Sequence, residues 1–148
     1  MKTLLAIPSL LLAMAATACA STGMGQSEKL ATYRAHAGEP VSSFRYFGSI
    51  NGWTPLGDRA IAVWTRPSEA WLLELSGPCP DIQSAPMITV THQFNRVSAR
   101  FDEVVPQGGA ATMRIPCRID TIRPLDVKAI RQAEKTARDQ SGEEPSGT

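Results

Sequence analysis

The sequence predicts an α+β fold that is mostly β, with one antiparallel sheet of about five or six strands, a C-terminal helix and a short N-terminal helix. Apolar and polar residues alternate in several short runs, which is typical of half-buried strands. Glycine, proline and asparagine turns separate these runs. After the last run, apolar residues recur at helical spacing instead. The patterns predict elements but not the order of strands.

The period of two occurs in the runs 41–47, 59–66, 70–75, 87–94 and 97–101. Residues 67–69 have turn chemistry, so the second and third runs are predicted to pair as an antiparallel hairpin. In the fourth run, His92 and Phe94 are expected on the same apolar face as Val90.

Two segments have helical character. Residues 27–37 either form a short helix that ends at Gly38 or continue a linker. Asp126 is a suitable N-cap for a helix from Val127 to about Asp139.

Residues 1–18 are predicted to be a signal peptide. Lys2 supplies a positive start, and the uncharged run from Leu4 to Ala18 is shorter than the roughly 20 residues that span a bilayer. Small residues precede Cys19, as a lipoprotein signal peptidase requires, and the thiol of that cysteine then receives the lipid. The sequence therefore predicts a bacterial lipoprotein held on the membrane through Cys19.

Two other interpretations of this segment stay open. Ala18-Cys19-Ala20 also fits ordinary signal cleavage, which would leave a secreted chain beginning at Ser21, and an apolar cytosolic N-terminus is the third interpretation. For the lipoprotein, Ala20 stands where retention in the inner membrane would need aspartate. We therefore expect the outer membrane, with the protein facing the periplasm.

The rest of the chain is predicted to have three parts. Residues 19–26 are small and flexible and form a lipidated tether. Residues 27–139 form a single disulfide-bonded α+β domain. Residues 140–148 have no large apolar side chain to bury and form a disordered tail.

The chain contains three cysteines, Cys19, Cys79 and Cys117. An odd number is unfavourable in an exported protein, but lipidation of Cys19 leaves a pair. Because the periplasm is oxidising, Cys79 and Cys117 are predicted to form a disulfide. Two free buried thiols or a metal site are the alternatives, although no CxxC motif or nearby histidine completes a zinc set.

The charge balance argues against one class of partner. Formal net charge is +1, so there is no basic surplus to bind phosphates, and no nucleic-acid partner is predicted. The glycines do not form a phosphate-binding loop, and we predict neither a cofactor nor a metal.

Four segments carry a resemblance to a known family. They are Trp53–Gly57, Ala70–Leu75 before Cys79, Asp102–Val104 and Cys117–Asp126. Together they resemble a family of short, uncharacterised proteobacterial lipoproteins classed as a domain of unknown function. The resemblance covers roughly residues 41–130 and implies an exported one-domain protein with a paired-cysteine core. It implies no activity.

The side chains needed for catalysis are sparse. His36 lies beside the tether, His92 is expected in the core, and no serine lies in a GxSxG motif. Folding can bring two carboxylates together from anywhere in the chain, and Asp102 and Asp120 are the pair to test.

Three tryptophans, Trp53, Trp64 and Trp71, are many for a chain of this size. Exposed aromatic side chains anchor protein interfaces. Alternatively, the terminal helix and the loops cover one face of the sheet, and Trp64 fills that layer.

Three functions follow from these observations. The leading hypothesis is a membrane-tethered, non-catalytic module that binds a protein or an envelope component. The second is a small envelope hydrolase that uses aspartate or glutamate. The third is a periplasmic or secreted enzyme inhibitor whose binding loop protrudes, for example at residues 106–111.

The lipoprotein hypothesis predicts that Cys19→Ala converts a membrane-bound protein into a precursor or a soluble form, because no acyl acceptor remains. Metabolic labelling with a fatty-acid analogue should mark the wild-type chain only. Equal labelling of both chains would contradict the hypothesis.

Overall fold

The computed structural model describes residues 23–108 and 114–142. The predicted signal peptide, Cys19 with the first half of the tether, and residues 143–148 of the tail lie outside the described residues. The described elements are, in chain order, α1 (Gln26–Ala35), β1 (Ser43–Arg45), β2 (Gly52–Pro55), β3 (Ala60–Arg66), β4 (Glu69–Leu75), β5 (Met87–Val90), β6 (Arg96–Ser98), β7 (Glu103–Gln107), β8 (Cys117–Leu125) and α2 (Val127–Gln140).

The fold is mostly β, as the sequence predicts. Strands β2, β3, β4, β8, β7 and β5 lie side by side in that order, and every pairing is antiparallel. Strands β1 and β6 form a separate two-stranded antiparallel sheet, which we call the ribbon. No helix among the described residues is both long enough and apolar enough to cross a bilayer.

Two apolar cores lie on the two faces of the large sheet. On one face, Ile61, Val63 and Leu73 pack beneath Phe44 and Val97 of the ribbon. On the other face, small and aliphatic side chains of β3 and β4 pack with side chains of both helices; these are Ala60, Ala62, Ala70, Leu72, Tyr33, Val127 and Ile130. The molecule therefore has three layers, with the large sheet between the helices and the ribbon.

The hairpin of β3 and β4 forms as the period of two predicts. Trp71 lies on the ribbon side, where its ring stacks on Phe44 with centroids 4.9 Å apart. Trp64 lies on the helix side and meets the Tyr33 ring edge-on at 6.3 Å. Trp64 thus fills the layer under the helices, as the second interpretation of the tryptophans proposed.

Helix α1 is a helix rather than a continued linker because one side chain fixes it to the core. Tyr33 is buried, and its hydroxyl donates a hydrogen bond to Glu134 Oε1 of α2 at 2.9 Å. Burial first, and then this carboxylate, raise the pKa of Tyr33 above its ordinary value. Asp126 caps α2 as expected, since its Oδ1 accepts from Ala129 N at 3.0 Å.

A disulfide joins Cys79 to Cys117, with Cα atoms 5.6 Å apart, as the cysteine count predicts. Both residues are buried in the ribbon-side core. The bond ties the loop after β4 to the beginning of β8, and it closes a sequence separation of 38 residues.

The prediction for the fourth run is wrong at its end. Strand β5 stops at Val90, and both His92 and Phe94 are exposed instead of buried. The chain reverses over Gln93–Arg96, where Phe94 and Asn95 have φ angles of 51° and 56°. These are the left-handed angles of a two-residue type I′ hairpin, so Phe94 belongs to a turn and not to a strand face.

Three strands are missing from the sequence prediction: β2, β7 and β8. Each contains a proline, at Pro55, Pro106 and Pro124, which disfavours a strand assignment. In β8 the pairing with β4 also shifts around Asp120, so the alternation of buried and exposed residues is interrupted.

Removal of the disulfide should destabilise the fold strongly. The chain-entropy model gives a loop of this length roughly 4 kcal/mol, so we expect the Cys79→Ala, Cys117→Ala double variant to lose about 2–4 kcal/mol of unfolding free energy. Urea denaturation followed by fluorescence checks this. A loss below about 1 kcal/mol would show that the bond contributes little.

Candidate functional site

The side chain of Asp102 is buried and has a structural role. It is the buried charged residue of the described chain, with 3% exposure. Its Oδ1 accepts from Thr91 Oγ1 at 2.9 Å, and its Oδ2 accepts from the Ser98 backbone N–H at 2.7 Å. The Thr91 hydroxyl in turn accepts from Glu103 N at 2.8 Å. Asp102 therefore fastens the end of the ribbon to the sheet.

Asp120 has a different environment. It is exposed, and its Oδ2 accepts from Thr121 Oγ1 at 3.1 Å. It lines an open groove in which Asp102 has no part. The structure therefore does not bring the two candidate carboxylates into one cleft.

The two histidines are also apart. His36 is the C-cap of α1, and its carbonyl accepts from Asp126 N at 2.9 Å. His92 meets the Tyr46 ring edge-on at 4.9 Å, and burial raises the pKa of that tyrosine. Within residues 23–108 and 114–142, no three His, Cys, Asp or Glu side chains are grouped as a metal would require.

The most unusual surface is the outward side of the ribbon. The inward side chains Phe44, Tyr46 and Val97 are buried in the core. Alternation along the strands therefore turns the intervening residues outward. We call this outward set, together with the exposed Phe47 and the turn residue Phe94 just beyond the two strands, the ribbon face; it consists of Ser43, Arg45, Phe47, Phe94, Arg96 and Ser98.

Two arginines lie directly opposite each other on the ribbon face. Arg45 pairs with Arg96 in the antiparallel register, and both are exposed. Arg96 Nη1 donates to Ser43 Oγ at 3.0 Å. In the described part of the chain, no carboxylate lies within 4.0 Å of either guanidinium. Like charges in such a position destabilise a strand pair.

The tip of the ribbon exposes two aromatic rings. Phe94 is 99% exposed and Phe47 is 64% exposed. They lie at the same end, because Tyr46 N donates to Asn95 O at 2.9 Å just before the turn. The left-handed backbone at Phe94 is unfavourable for a bulky residue, and the exposed ring is not buried by any of the described residues.

A groove of about 660 Å³ lies where the chain before the ribbon, the turn after it and β8 meet. Val41 N donates to Ile122 O at 2.8 Å, and Arg100 N donates to Ile119 O at 2.6 Å, so main-chain bonds hold both walls against β8. The exposed ring of Phe101 stands at this groove. Arg100 and Arg123 line the groove together with Asp120, so the groove adds an aromatic ring and two guanidiniums next to the ribbon.

Sequence reasoning did not find the ribbon face. The strand run at residues 41–47 predicts which side chains alternate, but it does not say which strand lies opposite. Asn95, which readily adopts a left-handed backbone, predicts a turn at Asn95-Arg96, but it does not say which surface that turn joins.

These features define the class of the protein: a three-layer, disulfide-bonded α+β domain with a cationic and aromatic ribbon on one side. The chain belongs to the Family of unknown function (DUF6491), whose model matches residues 1–141. No curated protein and no solved structure matches the chain significantly.

The contrast between the two aspartates predicts a contrast in stability. Asp102→Ala leaves a partly buried hydroxyl and a partly buried N–H without their acceptor, so we expect a loss of about 2–4 kcal/mol in unfolding free energy. Asp120→Ala is the matched control and should change it by less than about 0.5 kcal/mol. Chemical denaturation of both variants measures the difference, and equal values would contradict the structural role of Asp102.

Proposed function

We propose that the protein is a membrane-tethered, non-catalytic envelope lipoprotein, lipidated at Cys19 and placed at the outer membrane, whose ribbon face binds an acidic protein partner. One observation carries the binding part of the proposal. Arg45 and Arg96 lie opposite each other with no carboxylate of the described residues within 4.0 Å, at the end of the ribbon that exposes two phenylalanine rings.

The chemistry of the face favours a protein partner with carboxylates. Arginine and aromatic side chains are enriched at the energetic centres of protein interfaces. A guanidinium can hold a carboxylate through two parallel hydrogen bonds. Two neighbouring guanidiniums thus suit two acidic side chains, and the rings at the tip suit an apolar pocket next to them.

The stability of the free protein supports the same conclusion. An arginine pair in direct cross-strand register and a phenylalanine in a left-handed turn both disfavour the folded monomer. Neither feature is compensated by contacts among the described residues. A bound partner would compensate both, because it would neutralise the charge and bury the ring.

The inhibitor alternative shares this binding logic and differs in the identity of the partner. Its expected loop, residues 106–111, lies partly outside the described residues. The turn at Phe94 is exposed and lies within the described residues, so we assign an inhibitory contact to it and thus also to the ribbon face. The hydrolase alternative needs a second carboxylate beside Asp120, and the described lining of the groove contains none.

Phe94→Asn should stabilise the protein while it weakens partner binding. Asparagine tolerates the left-handed backbone, so we expect a gain of about 1 kcal/mol in unfolding free energy. The ring that inserts into the partner is lost at the same time. Thermal denaturation measures the gain, and quantitative affinity capture from envelopes with the tethered protein measures the loss. Unchanged capture of every partner would contradict a role for the tip.

Arg45→Glu should also stabilise the protein and weaken partner binding, here because it changes the charge of the ribbon face. It replaces an Arg–Arg pair with a Glu–Arg pair, which should stabilise the ribbon by about 0.2–1 kcal/mol. It also removes half of the cationic site and should reduce capture at least tenfold, by the order of 2 kcal/mol expected for an interface anchor. Arg59→Glu, at an exposed arginine away from the ribbon, is the matched control and should change capture little. Equal effects of the two substitutions would point to net charge alone.

A further inference from the structure

Helix α2 carries a second cationic surface, on the opposite side of the sheet from the ribbon. Lys128, Arg131, Lys135 and Arg138 are all exposed, and their spacing of three, four and three residues places them along one side of the helix. We call this set the α2 stripe. The buried side of the helix, at Val127 and Ile130, is turned elsewhere.

The charged groups of the α2 stripe form no ion pairs with carboxylates of the described residues. No carboxylate among the described residues lies within 4.0 Å of these four side chains. Glu134, in the middle of the helix, faces α1, where it accepts a hydrogen bond from Tyr33 and forms an ion pair with Lys29. Arg131 donates one hydrogen bond to Pro67 O and keeps its charge. Two exposed acids accompany the stripe: Asp139, next to Arg138, and Asp126, which lines the same groove as Lys128, Arg131 and Lys135.

We infer that the α2 stripe binds the anionic headgroups of the membrane that holds the anchor. This inference rests on the proposed lipoprotein for its choice of occupant. Seven peptide units separate Cys19 from Gln26, where α1 begins, and even fully extended they reach about 25 Å. A lipid on Cys19 therefore keeps the beginning of α1 within that reach of the bilayer, and α2 packs against α1.

Charge and distance together favour this occupant. Each Lys or Arg at an anionic membrane surface contributes about 1 kcal/mol, or about a fivefold change in affinity, and the attraction decays within a Debye length of about 10 Å. Four cations on one side of a helix near the anchor therefore hold the helix layer against the membrane. The ribbon face is then turned away from the membrane, toward its partner.

Lysine footprinting on vesicles tests the inference with the protein as isolated from envelopes. Lys128 and Lys135 are reporters within the stripe, and Lys29 on α1 reports on the rest of the helix layer. On vesicles that contain phosphatidylglycerol, we expect the acylation rates of both reporters to fall at least about fivefold relative to vesicles of phosphatidylcholine alone. About 0.5 M salt should restore the rates. Equal rates on the two kinds of vesicle would overturn the inference.

Two double variants with the same change in net charge complete the test. Arg131→Glu, Arg138→Glu keeps both reporter lysines and should abolish their protection. Arg45→Glu, Arg96→Glu changes the ribbon face and should leave protection intact; loss only in this variant would mean that the ribbon meets the membrane and would overturn the inference. Because Arg131 contacts Pro67, Arg138→Glu alone serves as a second stripe variant, with an expected loss of protection of about fivefold or more.

The same assay separates the inference from the proposed anchor. If fatty-acid labelling shows no lipid on Cys19, the footprint of the unlipidated chain with added vesicles still reports on the stripe. Protection without lipidation would support the stripe and contradict the anchor. Lipidation without protection would support the anchor and contradict the stripe.

Discussion

The main chain of β8 is the constraint on which the rest of the structure depends. Its nine residues pair with β4 on one side, and on the other side they hold β7, the turn after the ribbon and the segment that follows α1. The disulfide fixes its first residue, and α2 begins two residues after its last. Because these parts share one strand, the ribbon and the helices are positioned relative to a common rigid element.

The features of the fold that could be predicted are those that a local sequence pattern encodes. The β3–β4 hairpin, the N-cap at Asp126 and the disulfide follow from periodicity, capping chemistry and cysteine arithmetic. Strand β8 could not be predicted in the same way, because Pro124 and the irregular register at Asp120 hide a strand whose partners lie far away in sequence. The ribbon face could not be predicted from the sequence for a related reason. Its meaning comes from Arg45 lying opposite Arg96, and pairing between distant segments is not a local property.

The two ends of the ribbon differ in their effect on stability: the end next to Asp102 is held firmly, and the opposite end carries unfavourable, exposed residues. The buried carboxylate holds the base of the ribbon through Thr91 and the Ser98 N–H. The other end of the ribbon carries the unfavourable turn at Phe94 and the opposed arginines. A firm base allows a strained tip to persist, as is typical of surfaces that act by contact with another molecule.

The three-layer arrangement also determines the distance between the ribbon and the helices. A layer packs on its neighbour at a spacing of about 10 Å, so the ribbon stands about 20 Å from the helices across the large sheet. In a molecule that rests on its helices, a partner docked on the ribbon is held at that distance from the lipid headgroups, and the tether adds at most its own length. The domain would then act as a spacer, so that only a partner that projects into this narrow zone beside the membrane could be captured.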